Sequence, residues 1–159
     1  MAPTDYSAGI MPLPVDPVAV PVARYQVRRW LAALSWPAVQ LDDIVLAVSE
    51  AFTNAVEHAY TNQMPGMIEI RGVVEALVTG LHRVTVIIRD YGRWRLPPTD
   101  DECFRLGIVI MRACMHTVTI RLPDDGRPGT RVVLRSKNVL MPAFSGPRQQ
   151  GRRPIVLRQ

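Results

Sequence analysis

The hydrophobic pattern of this chain changes its period at Met67, and this change limits the fold more than any other feature. Before Met67, apolar residues recur three or four positions apart, which is the spacing of one helix face: Ile44, Val48, Ala51, Ala55 and Ala59. After it, β-branched residues partly alternate in MIEIRGVV and HRVTVIIRD, as expected of paired strands. Helices and strands in separate segments predict a two-layer α+β sandwich, with a mixed, mostly antiparallel sheet and helices on one face.

Other segments extend this pattern. ARYQVRRWLAALS, from Ala23, predicts a first helix, and LGIVIMRACM predicts a later helix that opens at Gly107. HTVTIRL and TRVVLRS predict two last strands, joined by a hairpin over PDDGRPG. The prolines before Val22 argue against a regular element there.

Length and charge predict one domain with two irregular ends. The chain has 159 residues and is 48% hydrophobic, which suffices for one core. Residues 137–159 hold five basic side chains and no acid, whereas residues 1–136 hold 14 of each sign. We therefore predict an irregular segment over 1–21, a globular domain over 22–136 and a basic, flexible tail over 137–159. Because the predicted body is neutral, we expect nucleic-acid binding to be weak.

The chain is expected to be cytoplasmic. It shows neither the continuous apolar run of a membrane span nor the basic and apolar regions of a secretory signal. Cys103 and Cys114 match no metal-ligand spacing and are expected to be two free thiols.

The stretch SEAFTNAVEHAY places polar groups on the flank of the predicted second helix. Glu50 and Asn54 are four residues apart, so their side chains lie together on one side of the helix. Seen alone, such a pair is more often a solvated helix face than a site. His58 continues the spacing, but a lone histidine at a helix end is more often structural or exposed, and we leave it out of the catalytic set.

Three short motifs follow in order. VIIRDYG places Asp90 at the end of an apolar strand, where the carboxylate either caps a turn or contacts a ligand, and Gly92 just beyond it. RLGIVIM places Gly107 at a predicted helix start, where free amides favour an anion, although a single glycine of this kind is more often a plain helix entry. PGTRVVL places Thr130 at the entry of a strand.

Together these motifs resemble the Bergerat ATP-binding fold of histidine kinases, Hsp90, type II topoisomerases and MutL. SEAFTNAVEHAY resembles the N-box, RDYG and LGIVIMRA the two glycine boxes, and GT the closing box. Among these proteins, the chain is most similar to the small anti-sigma-factor serine kinases of the RsbW and SpoIIAB type. The resemblance covers about Val22 to Ser136.

The resemblance implies a role for each matching residue. Asn54 would coordinate Mg²⁺, and Glu50 would act as general base toward a serine hydroxyl. Asp90 would accept the adenine amino group of ATP, supported by Thr130, while Gly92 leaves room for the ring.

In the second box, the resemblance implies that Gly107 lets the helix start approach the phosphates. The chain also departs from the family pattern. Trp94 and Arg105 occupy two positions where the boxes usually have glycine, which stiffens the nucleotide-covering loop, and Arg105 could instead offer its charge to the phosphates. The usual edge strand before the first helix is not recognisable.

The resemblance implies an ATP- and Mg²⁺-dependent serine/threonine protein kinase that also sequesters a sigma factor. Its substrate would be an anti-anti-sigma protein of the STAS type, and a homodimer is possible. Arg24, Arg28 and Arg29 on the first helix either meet an acidic partner or form a solvated face. One alternative is a catalytically weak module that only sequesters protein partners. Another is nucleic-acid binding by the basic tail, with steep salt dependence that deletion of 137–159 removes.

Overall fold

The computed structural model describes residues 6–7, 11–60, 64–78, 80–93, 101–122 and 126–141. Within them, three helices pack on one face of a seven-stranded sheet. In chain order the elements are β1 (Tyr6–Ser7), β2 (Met11–Pro14), α1 (Ala19–Ala33), α2 (Ala38–His58), β3 (Met67–Ala76), β4 (Leu81–Asp90), α3 (Glu102–Cys114), β5 (Thr117–Arg121), β6 (Arg131–Arg135) and β7 (Val139–Leu140). The predicted α+β sandwich is confirmed.

The central strands β3 and β4 form an antiparallel pair that runs from Ile68 opposite Asp90 to Ala76 opposite His82. Strand order along the sheet is β1-β3-β4-β6-β5, with β2 also on β3 and β7 also on β4, and every described pairing is antiparallel. This pairing places the end of β4 and the start of β6 side by side at one edge of the helical layer.

The helical layer is centred on α2, whose small and aliphatic residues face the sheet. Ala47, Val48 and Phe52 are completely buried, and Ala51 and Ala55 are each 2% exposed. Alanine at these positions lets α2 approach its neighbours closely, and burial of such side chains contributes the main stabilising free energy of the domain.

The irregular segment predicted over 1–21 is wrong, since β1 and β2 pair with β3 and α1 already begins at Ala19. Pro12 and Pro14 fit an edge strand because alternate residues of such a strand direct their nitrogens away from the sheet. Leu13 between them is buried in the core. Pro21 lies in the first turn of α1, where the amides have no helical partner.

The predicted helix start at Gly107 is also wrong. Helix α3 begins five residues earlier, at Glu102, and its N-cap is Asp101, whose Oδ1 accepts a 2.9 Å hydrogen bond from the Phe104 amide. Gly107 therefore lies inside the helix, where its amide is not free to bind an anion. The prediction that Gly107 offers free helix-start amides to an anion is therefore wrong.

The predicted flexible tail begins too early. Val139 is 5% exposed, and β7 pairs with the first two residues of β4. The Ser136 hydroxyl accepts a 2.9 Å bond from the Val84 amide, so the chain remains in the sheet beyond residue 136. Residues 142–159 and Trp94 lie outside the described part of the chain.

One of the three basic residues predicted on the first helix forms an ion pair with the second helix. Arg28 of α1 lies 2.8 Å from Asp42 of α2, and both side chains are more than half exposed.

The two cysteines are free thiols, as predicted. Cys103 is exposed and Cys114 is buried. Over the described residues, no helix has both the length and the apolar character needed to cross a membrane.

Candidate functional site

Glu50, Asn54 and Gly107 come together where α2 and α3 pack. A methyl group added at Gly107 would lie 3.1 Å from Glu50 Oε2 and 3.5 Å from both Oδ1 and Nδ2 of Asn54. The two polar side chains, predicted to share one flank of α2, therefore face the side of α3 that carries no side chain at position 107. Gly107 therefore contributes space for the two side chains, and it does not contribute the free amides of a helix terminus.

The polar groups of this cluster are available to a ligand. Asn54 is only 6% exposed, yet among the described residues neither its carboxamide nor the Glu50 carboxylate has a hydrogen bond or an ion pair. The polar atoms of Asn54 are not among the fully enclosed side-chain atoms that lack a partner, so a ligand or water can reach them. The described residues hold no group of three or more His, Cys, Asp or Glu side chains suited to a metal. A cation here would therefore depend on the Asn54 oxygen and on a ligand's own oxygens.

Asp90 forms a second cluster with the start of β6. Its residue is 2% exposed, and Oδ1 accepts bonds from the amides of Gly92 at 3.1 Å and Thr130 at 3.2 Å. The Asp90 amide in turn donates to the Thr130 carbonyl at 3.1 Å. These bonds fix the carboxylate through one oxygen and compensate part of its burial. The resemblance implies that Asp90, Gly92 and Thr130 share one site, and the structure brings them together.

Two glycines allow the backbone to close around Asp90. A methyl group at Gly92 would collide with the carbonyl of Ala59, which ends α2. Gly129 has a φ of 116°, and a methyl group there would collide with the Asp90 carbonyl. Ala59 follows Asn54 by five residues, which is about 7.5 Å along a helix axis. Helix α2 thus connects the two clusters, one on its flank and one at its end.

Tyr60 is a positioning residue that the sequence did not reveal. Its hydroxyl donates to the Met67 carbonyl at 2.8 Å and accepts from the Tyr91 amide at 3.0 Å, which joins the end of α2 to β3 and to the residue after Asp90. Burial, more than any other cause, raises the pKa of this phenol, so it stays a neutral donor. Its partners are 7 and 31 residues away, and no local pattern predicts such pairs.

Replacing Tyr60 by phenylalanine is expected to remove both bonds while keeping the ring. The Tyr91 amide and the Met67 carbonyl then lose their partners, so the free energy of unfolding should fall by about 1–3 kcal/mol. Urea unfolding would measure it, with Tyr25→Phe, an exposed tyrosine on α1, as the control. Equal stability of the Tyr60 variant and wild type would contradict the positioning role.

Neither Arg105 nor His58 lies in the cluster of Glu50, Asn54 and Gly107. Arg105 is exposed, and two residues along a helix turn about 200°, so it lies on the side of α3 away from Gly107's contacts. His58 contacts the start of α3, with Nε2 3.8 Å from Asp101 Oδ2 and its ring edge-on to Phe104 at 5.3 Å between centroids. The structure thus does not bring Arg105 to the cluster, and it places His58 between two helices.

Gly107→Ala tests the spacing of the cluster directly. The methyl group, 3.1 Å from Glu50 Oε2, would push the carboxylate out of place, although alanine suits a helix better than glycine by about 1 kcal/mol. We expect unchanged or higher stability, with any activity that needs Glu50 and Asn54 lowered about tenfold or more, because small misplacements are costly in catalysis. Thermal unfolding and an activity assay would separate the two effects, with Val109→Ala on the exposed side of α3 as control. Undiminished activity would show that this space is not needed.

These two clusters lie in a segment that matches a known family. A sequence model described as the histidine kinase-like ATPase domain matches residues 13–136, most of the chain. The chain belongs to this family. The match begins within β2, which agrees with the structured N-terminal strand and not with a domain start at residue 22. The resemblance drawn from the four motifs is confirmed at the level of the family.

Among the relatives of this chain, serine-protein kinase RsbW of Bacillus velezensis is 34% identical over 83 residues, which are 52% of this chain and 48% of the relative. Anti-sigma F factor of Anoxybacillus flavithermus is 37% identical over 109 residues, 62% of this chain and 71% of the relative. The chain thus spans about half the length of the RsbW relatives that it matches. A crystal structure of the RsbU and RsbW domains of Rv1364c from Mycobacterium tuberculosis superposes with a TM-score of 0.57 at 26% identity, over 84% of this chain and 33% of that one.

Proposed function

We propose that the chain is an ATP- and Mg²⁺-dependent serine/threonine protein kinase that also acts as an anti-sigma factor. Its substrate is a serine on an anti-anti-sigma protein of the STAS type, and its second partner is a sigma factor. Membership of the histidine kinase-like ATPase family and similarity to relatives named serine-protein kinase and anti-sigma F factor support this proposal.

The observation that carries the proposal is the adjacent, unpartnered pair Glu50 and Asn54, both facing Gly107. A buried carboxamide oxygen is a hard ligand suited to Mg²⁺, so the residues present fit the ion, and Asn54 would hold it. When bound, Mg²⁺ would neutralise charge on the phosphates.

Glu50 supplies the proton acceptor of the proposed transfer. The serine oxygen forms a bond to the γ-phosphorus, the bond from that phosphorus to the bridging oxygen breaks, and ADP leaves. The serine proton passes to the Glu50 carboxylate, one helical turn from the Asn54 amide. Phosphate on the substrate adds negative charge to its surface, which weakens its complex with the kinase and frees the kinase to bind sigma.

Asp90 provides the adenine end of the proposed site. One carboxylate oxygen is fixed by the amides of Gly92 and Thr130, and the carboxylate would accept the exocyclic amino group of adenine through its other oxygen. A base that lacks this amino group, such as guanine, would present an acceptor to the buried carboxylate, which is unfavourable. The site should therefore discriminate adenine from guanine nucleotides.

The experiment is transfer of labelled γ-phosphate from Mg²⁺-ATP to a purified STAS-domain protein, followed with GTP as the matched control nucleotide. Transfer from ATP and not from GTP, onto a serine, is the expected result. ATP binding without any transfer would favour the sequestering module instead. The continuous α3, in which the Gly107 amide is not free to approach phosphates, is the observation that favours this second function.

A further inference from the structure

The face of the sheet away from the helices carries a concentrated positive charge. Alternate residues point to opposite faces, and the cross-strand pairs Glu69–Arg89–Arg131–Arg121 and Val73–Thr85–Arg135 all lie on the outer face. In the described strands β3 to β6, this face holds six arginines and two glutamates: Arg71, Arg83, Arg89, Arg121, Arg131, Arg135, Glu69 and Glu75. The near-neutral composition of residues 1–136 therefore conceals a segregation of charge that only the fold creates.

The two glutamates of this face are already engaged. Glu75 forms an ion pair with Arg83, and Glu69 accepts a 2.9 Å bond from the Tyr91 hydroxyl. By contrast, four of the arginines have no hydrogen bond or ion pair through their side chains among the described residues: Arg71, Arg121, Arg131 and Arg135. The uncompensated charge of the face thus belongs to these four side chains.

These four arginines line one groove of about 360 Å³. Its lining includes the aliphatic side chains of Val73, Ile87 and Val133, together with Thr85. Thr85 is 5% exposed, and its Oγ1 is buried below the surface of the groove. The groove therefore presents four cations around an aliphatic floor.

We propose that this groove binds an acidic surface of a partner protein, with carboxylates against the arginines and apolar side chains on the aliphatic floor. Arginines around an aliphatic centre are the composition of a protein interface, and guanidinium groups bind carboxylates through paired bonds. A second copy would bring arginines against arginines, which is unfavourable. Nucleic acid is disfavoured by Glu75 in the lining and by the aliphatic floor.

This surface is independent of the nucleotide site, because Asp90 and the helices lie on the other face of the sheet. Failure of the proposed kinase function therefore leaves this inference standing, and the reverse also holds. Electrostatic complementarity of this kind raises association rates and makes binding sensitive to salt.

The test uses the full chain and a fluorescein-labelled peptide of about twelve glutamates as carboxylate probe, with a length-matched oligo-dT as phosphate probe. The variant is Arg71→Glu/Arg135→Glu, and its matched control, Arg24→Glu/Arg29→Glu, changes net charge equally on exposed α1 positions. Fluorescence anisotropy at low salt should show peptide affinity at least about tenfold lower in the first variant and within about twofold of wild type in the control.

Three results would overturn the inference. The first is equal affinity of both variants for the peptide. The second is tighter binding of oligo-dT than of the peptide, with the oligo-dT binding lost in Arg71→Glu/Arg135→Glu, and the third is a wild-type dimer in sedimentation that the same variant converts to monomer. Unchanged Mg²⁺-ATP binding and melting temperature would show that the variant is folded. Arg71→Gln/Arg135→Gln gives a milder change should the charge reversal unfold the sheet, and it should show the same order of affinities.

Discussion

Replacing Glu50 by glutamine is expected to lower phosphate transfer to the proposed serine substrate by about 10²- to 10⁴-fold, the usual contribution of a general base. Glutamine keeps the size of the side chain and its place beside Gly107, but it does not accept a proton. Mg²⁺-ATP affinity should stay within about threefold of wild type, because the proposed metal ligand is Asn54 and the proposed adenine acceptor is Asp90. Single-turnover transfer and calorimetric titration, performed on the same preparation, would measure the two quantities.

Glu57→Gln is the matched control for this change. Glu57 lies on the same helix, is exposed, and should affect neither transfer nor binding. Equal loss of nucleotide binding and of transfer in Glu50→Gln would contradict the proposed division of work between Glu50 and Asn54. A lower transfer rate that recovers at high pH through another group would instead leave Glu50 as a positioning residue.

The central helix and strands could be predicted from the sequence because each has one clear hydrophobic periodicity. Helix α2 and strands β3 and β4 have long runs of apolar residues at helical or alternating spacing, and burial against one common core enforces those periods. The same reasoning located the Glu50 and Asn54 pair, which depends only on helix geometry.

The sequence predicts the ends of some helices and strands wrongly, because the effect of a residue type depends on its position in the element. Proline excludes a central strand but not an outer one, so the prolines predict an irregular segment where β2 forms. The apolar pattern predicts that α3 starts at Gly107, although Asp101 followed by Glu102 is a good N-cap and first turn. That acidic pair is the sequence signal for the true helix start, and it lies at the end of a polar segment that itself predicts a loop.

Contacts between residues that are far apart in the chain could not be predicted from the sequence. The hydroxyl of Tyr60 meets the Tyr91 amide 31 residues later, and the charge of the outer sheet face arises from four strands in register. Net charge counted along the chain therefore predicted a neutral body. It could not show that one surface is strongly basic, because sidedness depends on strand pairing.

Asp90→Asn is expected to weaken Mg²⁺-ATP binding by about 10- to 100-fold, which corresponds to about 1–3 kcal/mol for a lost bond to a charged acceptor. In the variant, the amide oxygen can keep the position of Oδ1 and still accept from the amides of Gly92 and Thr130. The amide nitrogen then replaces the second oxygen and directs a donor at the adenine amino group, itself a donor.

Stability separates this effect from a general loss of structure. Since both backbone bonds to Oδ1 are kept, the melting temperature of Asp90→Asn should stay close to that of wild type, whereas Asp90→Ala should lower it by removing both bonds. Calorimetric titration of ATP and ADP into the two variants, with thermal unfolding of each, would test this pair of expectations. If Asp90→Asn melts like wild type and still binds ATP equally well, the second carboxylate oxygen does not contact the base. The 2% exposure of Asp90 would then reflect only its role in joining β4 to β6.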